Sequence, residues 1–112
     1  MTVLLLDDER DFLDGRVTLV ARSTDEAVEL TEAIDELDEL WLDYVLKGWD
    51  STDQFLATLV KRKRAGRPLR LKKVFIHTSS FSAVSLLNDY LAELEVSGED
   101  IERVDHKAYF KG

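Results

Sequence analysis

The chain has 112 residues, of which 45% are hydrophobic and 34% charged, and it contains no cysteine. This composition predicts one globular domain over residues 1–112 and excludes disordered proteins, disulfide scaffolds and thiolate metal sites. The net charge of −8 argues against broad binding to the nucleic-acid backbone. Because no apolar stretch reaches the roughly 18–20 residues of a membrane span, we expect a cytoplasmic protein that does not enter the membrane.

Apolar segments typical of strands alternate along the chain with amphipathic segments typical of helices. This alternation predicts an α/β fold with a mainly parallel sheet. Five strands are predicted, within Thr2–Leu6, Val17–Ala21, Leu40–Asp43, Lys73–Thr78 and Ile101–Tyr109.

Three helices are predicted between these strands. The first opens with a capping box at Ser23–Glu26 and continues in an apolar stripe that extends to Leu37. The second opens with another box at Ser51–Gln54 and ends before Gly66, and the third starts near Ser79 or Ser80.

Two helices are missing from a regular alternation. The residues between strands one and two, from Asp7 to Arg16, are too few for the dozen or more that a parallel crossover with a helix needs. We therefore expect an extended loop or a single turn there, and no closing helix after strand five. A sheet edge or face that is less covered than usual favours a homodimer.

Three of the predicted strands end on polar residues. Asp7 and Asp8 follow the first strand, Asp43 follows the third, and His77, Thr78 and Ser79 follow the fourth. Ligands of open parallel sheets bind outside the carboxyl ends of the strands. The sequence therefore predicts one polar site at this edge.

The three aspartates are candidate ligands for Mg²⁺. Clustered carboxylates repel each other unless a cation neutralises them, and Mg²⁺ binds carboxylates together with water and phosphate oxygens. The alternative is that Asp7 and Asp8 cap a turn, which aspartate commonly does after a strand.

The remaining candidates each have a structural alternative. His77 is either a general acid or base or a structural histidine. Arg10 binds a phosphate with two hydrogen bonds, or it pairs with Glu9 or Asp14. Lys107 binds a phosphate as a point charge, or it is a solvated lysine.

A basic stretch, Lys61–Lys73, lies in a part of the chain that has no acid between Asp53 and Asp89. It is either a solvated face or a docking surface for an acidic partner. Since the second helix starts at the site end of the sheet, its basic end lies at the opposite end. This stretch therefore cannot neutralise a phosphate at Asp43.

The residues that follow the strands resemble the layout of the response-regulator receiver domain. That layout has an acid pair after strand one, an aspartate after strand three, a hydroxyl after strand four and a lysine after strand five. These are Asp7 and Asp8, Asp43, Thr78 or Ser79, and Lys107. The resemblance implies a flavodoxin-like three-layer sandwich with a five-stranded sheet of order 2-1-3-4-5. It also implies Mg²⁺ on the acid pair and a phosphoacceptor at Asp43. The departures are the missing first and last helices and Ala108, where receivers usually have proline.

A narrower resemblance rests on Leu6-Asp7-Asp8-Glu9-Arg10, the short first connection with Asp14-Gly15, Leu42-Asp43, and Ile76-His77-Thr78-Ser79. These motifs are similar to those of the cyclic-phosphate processing receivers of bacteria and phages. The resemblance implies a site formed by Asp7, Asp8, Arg10, Asp43 and His77. Members often have Leu-Asp-His-Asp-Leu where this chain has Leu42-Asp43-Tyr44-Val45-Leu46, so one acid/base or ligand candidate is absent.

Three functions follow as hypotheses. The first is a metal-dependent phosphodiesterase, or a binding protein, for a cyclic phosphate or small phosphate ester, with His77 and Asp43 as catalytic residues and Arg10, Thr78, Ser79 and Lys107 as phosphate ligands. The second is a non-catalytic module that binds a protein partner. The third is a receiver that accepts a phosphoryl group on Asp43.

Overall fold

The computed structural model describes residues 1–16, 18–43, 46, 50–77, 81–104 and 109–110. The strands are β1 Val3–Leu6, β2 Leu19–Ala21, β3 Glu36–Leu42, β4 Arg70–Ile76 and β5 Ile101–Arg103. The helices are α1 Thr24–Thr31, α2 Thr52–Arg64 and α3 Phe81–Glu93, and a single 3₁₀ turn at Gly98–Asp100 precedes β5. No helix in the described part of the chain is long and apolar enough to span a membrane.

The sheet has the order β2-β1-β3-β4-β5, and all four pairings are parallel. The predicted α/β fold and its strand order are therefore confirmed. The described residues from Asp7 to Arg16 contain no helix, as expected from the short first connection.

The first helix is shorter than predicted, because α1 ends at Thr31. Leu37, which the helical stripe included, lies in β3 and pairs in register with Leu71 of β4. β3 begins at Glu36 rather than Leu40, and β4 begins at Arg70 rather than Lys73. The added length of both strands carries charged side chains that pair across the sheet, which explains why an apolar pattern did not indicate it.

The capping predictions have different outcomes. The Ser23 side chain accepts a hydrogen bond from the Glu26 amide at 3.2 Å, as predicted for α1. At α2 the prediction is wrong, because Ser51 makes no side-chain cap bond and donates instead to the carboxylate of Asp53. α2 ends at Arg64, and Gly66, just beyond the Ala65 cap, has a φ of 82°, a left-handed conformation that glycine adopts without a steric penalty.

The three helices pack on one face of the sheet. Their apolar side chains, including Ala27, Leu56 and Leu87, form one buried cluster with Leu4 and Leu6 of β1. Burial of apolar surface stabilises this layer by about 25 cal/mol for each Å² removed from water.

The opposite face is covered by an aromatic cluster rather than by helices in the described part of the chain. Val3, Leu5 and Trp41 of the sheet pack there against Phe12 and Phe110. Phe12 lies in the first connection and forms an isolated antiparallel bridge with Phe110. We call Phe12, Tyr109 and Phe110 the aromatic cover. It forms the third layer of the sandwich in the part of the chain that the structure describes.

Candidate functional site at the carboxyl edge of the sheet

Asp7, Asp43 and His77 lie in one row across β1, β3 and β4. Each follows the last residue of its strand and donates its backbone N–H to a carbonyl of the neighbouring strand, at 3.1, 3.2 and 3.0 Å respectively. The parallel hydrogen-bond pattern therefore continues one residue beyond the strands. Because side chains alternate between the two faces of a sheet, all three project toward the face that carries the aromatic cover.

Asp7 is fully buried and holds the loop that follows β1. Its Oδ1 atom accepts hydrogen bonds from the backbone N–H groups of Glu9 and Arg10, both at 2.9 Å. This is the turn-capping role that the sequence left open for Asp7. The Oδ2 atom has longer contacts, 3.5 Å to Arg10 Nη1 and 3.9 Å to His77 Nδ1, so this atom retains capacity to bind a cation.

Arg10 links two strands of the site. Its Nη1 atom lies 3.5 Å from Asp7 Oδ2 and 3.2 Å from Asp43 Oδ2. The alternative partners suggested by the sequence, Glu9 and Asp14, do not pair with it among the described contacts. The guanidinium therefore neutralises part of the charge that the two aspartates bring together.

Asp8 completes the acidic cluster. One carboxylate oxygen from each of Asp7, Asp8 and Asp43 lies within 4.8 Å of the others. Asp8 is half-buried and makes no side-chain hydrogen bond or ion pair among the described residues. Three carboxylates supply the hard oxygen donors that Mg²⁺ prefers, so the donor set fits this ion.

His77 is enclosed rather than exposed at the site. Its side chain has no exposed surface, and its ring centroid lies 4.5 Å from that of Phe110. Phe110 of the aromatic cover thus packs against an imidazole that solvent does not reach. In this conformation His77 contacts the Asp7 side of the cluster and cannot touch a ligand that arrives from solvent.

The family model for the cyclic-phosphate processing receiver domain matches residues 2–93. The chain belongs to this family. The match spans Asp7, Asp8, Arg10, Asp43 and His77, whereas Tyr109 and Phe110 of the aromatic cover lie beyond it. No curated protein matches the chain.

Arg22 is a residue of this receiver's site that the sequence analysis missed. It follows β2, and its guanidinium donates to the carbonyls of Asp7 at 3.2 Å and Arg10 at 2.7 Å. A third hydrogen bond, at 2.7 Å, reaches the Asp11 carboxylate. Arg22 therefore fixes the loop that carries the acid pair. Its position directly after β2 was the available signal, since Asp7, Asp43 and His77 also directly follow strands.

Several predicted phosphate ligands fall outside the described residues. These are Thr78, Ser79 and Lys107. Their roles stay predictions. Tyr44 and Val45, which the sequence analysis named as departures from the family motif and not as ligands, also lie outside the described residues.

The basic stretch lies at the opposite end of the receiver, and most of its cationic side chains pair with neighbouring acids. Arg62 donates to the carbonyls of Thr31 and Ile34 at 2.9 and 2.6 Å and is therefore a structural anchor between α1 and α2. The remaining pairs are Lys63–Glu95, Arg64–Glu93, Arg67–Glu32, Arg70–Glu36, and Lys72 with Glu36 and Asp38. The choice between a solvated face and a docking surface for an acidic partner stays a prediction.

The pKa values of two residues in this charged region depart from their usual range. The backbone N–H of Thr2 and the ammonium group of Lys72 lower the pKa of Asp38 below its ordinary value of 3.8. The carboxylates of Glu36 and Asp38 raise the pKa of Lys72 above 10.5. Both shifts favour the charged forms that make these surface pairs.

Proposed function

We propose that this receiver binds a small phosphate ester, with a cyclic phosphate as the favoured class, at the carboxyl edge formed by Asp7, Asp8, Asp43 and Arg10. The observation that carries the proposal is the convergence of three carboxylates and one guanidinium from β1 and β3, within a family described as processing cyclic phosphates. Carboxylates alone would repel a phosphate. A site of this composition therefore needs a cation before it accepts one.

Mg²⁺ is the proposed cation, held by Asp7, Asp8 and Asp43. When bound, it would polarise phosphate oxygens and offset their charge. Arg10 supplies a second positive group with the planar donor geometry suited to phosphate. The burial of Asp7 and its bonds to backbone amides hold the acid loop in place before the ligand arrives.

The proposed reaction is hydrolysis of a cyclic phosphodiester to a phosphomonoester. Water attacks phosphorus and gives up one proton, one ester P–O bond breaks, and the released alkoxide oxygen takes up a proton, so that the net reaction consumes one water molecule. His77 is the proposed acid or base, which requires that the aromatic cover move away from its ring.

Incubation with nucleoside 2′,3′-cyclic phosphates and Mg²⁺, followed by ³¹P NMR, tests this function. We expect turnover by the wild type and a loss of at least about 100-fold in His77→Gln, the scale of general acid–base catalysis. Asp43→Asn should lose metal and ligand binding, whereas Asp35→Asn, at a side chain 93% exposed at the other end of the sheet, should not. The absence of both turnover and binding would refute the proposal.

Binding without turnover is the second candidate function. The observation that favours it is the complete burial of His77 against Phe110. Isothermal titration calorimetry that detects a cyclic phosphate, together with ³¹P spectra that stay unchanged, would select this alternative. Binding of a protein partner, self-association and phosphoryl transfer to Asp43 remain proposals from the sequence, and a beryllofluoride titration tests the last of them.

A further inference from the structure

The Arg10 guanidinium contacts the carboxylates of Asp7 and Asp43, the same two groups that would hold a metal ion together with Asp8. Its Nη1 atom is 3.5 Å from one Oδ2 atom and 3.2 Å from the other. Mg²⁺ lies about 2.1 Å from each of its oxygen ligands, so two carboxylate oxygens that bind the same ion are no more than about 4.2 Å apart. An ion bound to these two oxygens would lie within about 5.3 Å of the guanidinium nitrogen, and the two positive charges would repel each other.

We propose that Arg10 is an exchangeable counter-ion of the acidic cluster. Without metal it neutralises Asp7 and Asp43. When a divalent cation binds, the guanidinium leaves both carboxylates and becomes available to the phosphate of the ligand. This inference rests on the proposed function, because it concerns the same metal and phosphate.

The surroundings of Arg10 allow its side chain to move while its backbone stays in place. The backbone N–H donates to Asp7 Oδ1 at 2.9 Å, and the carbonyl accepts from Arg22 at 2.7 Å. The side chain is 27% exposed and can turn toward solvent by rotation about its own bonds. Only the guanidinium therefore needs to exchange, and the acid loop keeps its shape.

If Arg10 exchanges in this way, removal of its guanidinium should change the affinity for the metal and the affinity for phosphate in opposite directions. Removing the guanidinium relieves a competitor for the metal, so metal affinity should rise. Because the pairs replaced are partly exposed and contribute modestly, we expect a rise of roughly fivefold to tenfold. Phosphate affinity of the metal-loaded protein should fall, because one of its cationic partners is lost. A merely structural role for Arg10 would weaken both.

Calorimetric titration of Mn²⁺ and Mg²⁺ into wild type, Arg10→Gln and Arg67→Gln tests this inference. Arg67 pairs with Glu32 at the other end of the molecule and is 59% exposed, so its substitution makes the same change in net charge without touching the site. We expect tighter metal binding only in Arg10→Gln. Inorganic phosphate, titrated into each metal-saturated protein, should bind more weakly only in that variant.

Arginine side-chain NMR supplies an independent readout in the wild type. On addition of Mg²⁺, the Arg10 Nε–H signal should shift, whereas that of Arg22, which holds backbone carbonyls, should stay. Equal or weaker metal binding in Arg10→Gln would overturn the exchange while leaving the metal site intact. If no variant binds metal, the exchange and the metal-dependent function both fail.

Discussion

Asp7 and Asp8 are adjacent in sequence, but the structure predicts that only one of them stabilises the fold. Two backbone amides donate to Asp7 Oδ1, both at 2.9 Å. Each hydrogen bond to a charged group contributes about 1.5–3 kcal/mol, reduced here because water reaches the freed amides of this part-buried turn. The contact with partly exposed Arg10 adds at most about 1 kcal/mol. We therefore expect Asp7→Ala to lower the free energy of unfolding by about 2–4 kcal/mol.

Asp8→Ala is the matched control, because Asp8 makes no side-chain bond among the described residues. We expect it to change the free energy of unfolding by less than about 0.5 kcal/mol. Asp7→Asn, which keeps the Oδ1 acceptor, should fall between the two alanine variants. Urea unfolding at pH 7 with a chelator present, followed by circular dichroism, measures all three without any contribution from metal.

Addition of Mg²⁺ to the same experiment separates the effect of each substitution on the stability of the fold from its effect on metal binding. A ligand at 100 times its dissociation constant adds about 2.7 kcal/mol to the stability of a protein that binds it only when folded. Wild type should gain stability in this way, and Asp8→Ala should gain much less. Equal losses for Asp7→Ala and Asp8→Ala in chelator would refute the separate roles assigned to the two residues.

Three further predictions concern other parts of the molecule. Phe110→Ala should lower the free energy of unfolding by about 2–4 kcal/mol, measured by urea unfolding, because a buried ring is removed. Arg62→Ala should lower the free energy of unfolding by about 2–3 kcal/mol in the same assay, because the carbonyls of Thr31 and Ile34 lose their donor. Arg64→Ala should lower it by less than about 0.5 kcal/mol, because the Arg64 side chain is 71% exposed. Because the pKa of Asp38 is lowered in the folded state, the stability that its charged form contributes is present above pH 3.8 and is lost as the pH falls through the folded-state pKa. An NMR titration of Asp38 should therefore find a midpoint below 3.8, and this midpoint should rise in Lys72→Ala.

The location of the site could be predicted from sequence because it depends only on where strands end. Asp7, Asp43 and His77 each follow an apolar run, and parallel strands bring their carboxyl ends to one edge. The partner of Arg10 could not be predicted in the same way. Sequence proximity favoured Glu9 or Asp14, whereas Asp43 is 33 positions away and becomes a neighbour only through the β1–β3 pairing.

The boundaries of β3 were mispredicted for a related reason. Ile34 and Leu37 continue the spacing of three that a helix shows, and the charged residues between them hid the strand. Pairing of residues 36–42 with β4 supplies hydrogen bonds that a longer α1 would forgo. The pairing of β3 with β4 therefore outweighed the local helical pattern, and the sequence of this segment alone does not indicate that pairing.

The burial of His77 depends on the aromatic cover that packs on its face of the sheet. Trp41 and His77 lie on adjacent rows of that face, and Phe110 contacts both, with ring centroids at 5.8 and 4.5 Å. A ligand can reach the buried imidazole only when Phe110 leaves its contact with that ring. If opening costs about 2–4 kcal/mol, His77 is accessible in roughly 0.1–3% of molecules. Turnover by this receiver would then be limited by that population, and Phe110→Ala would raise it while lowering stability.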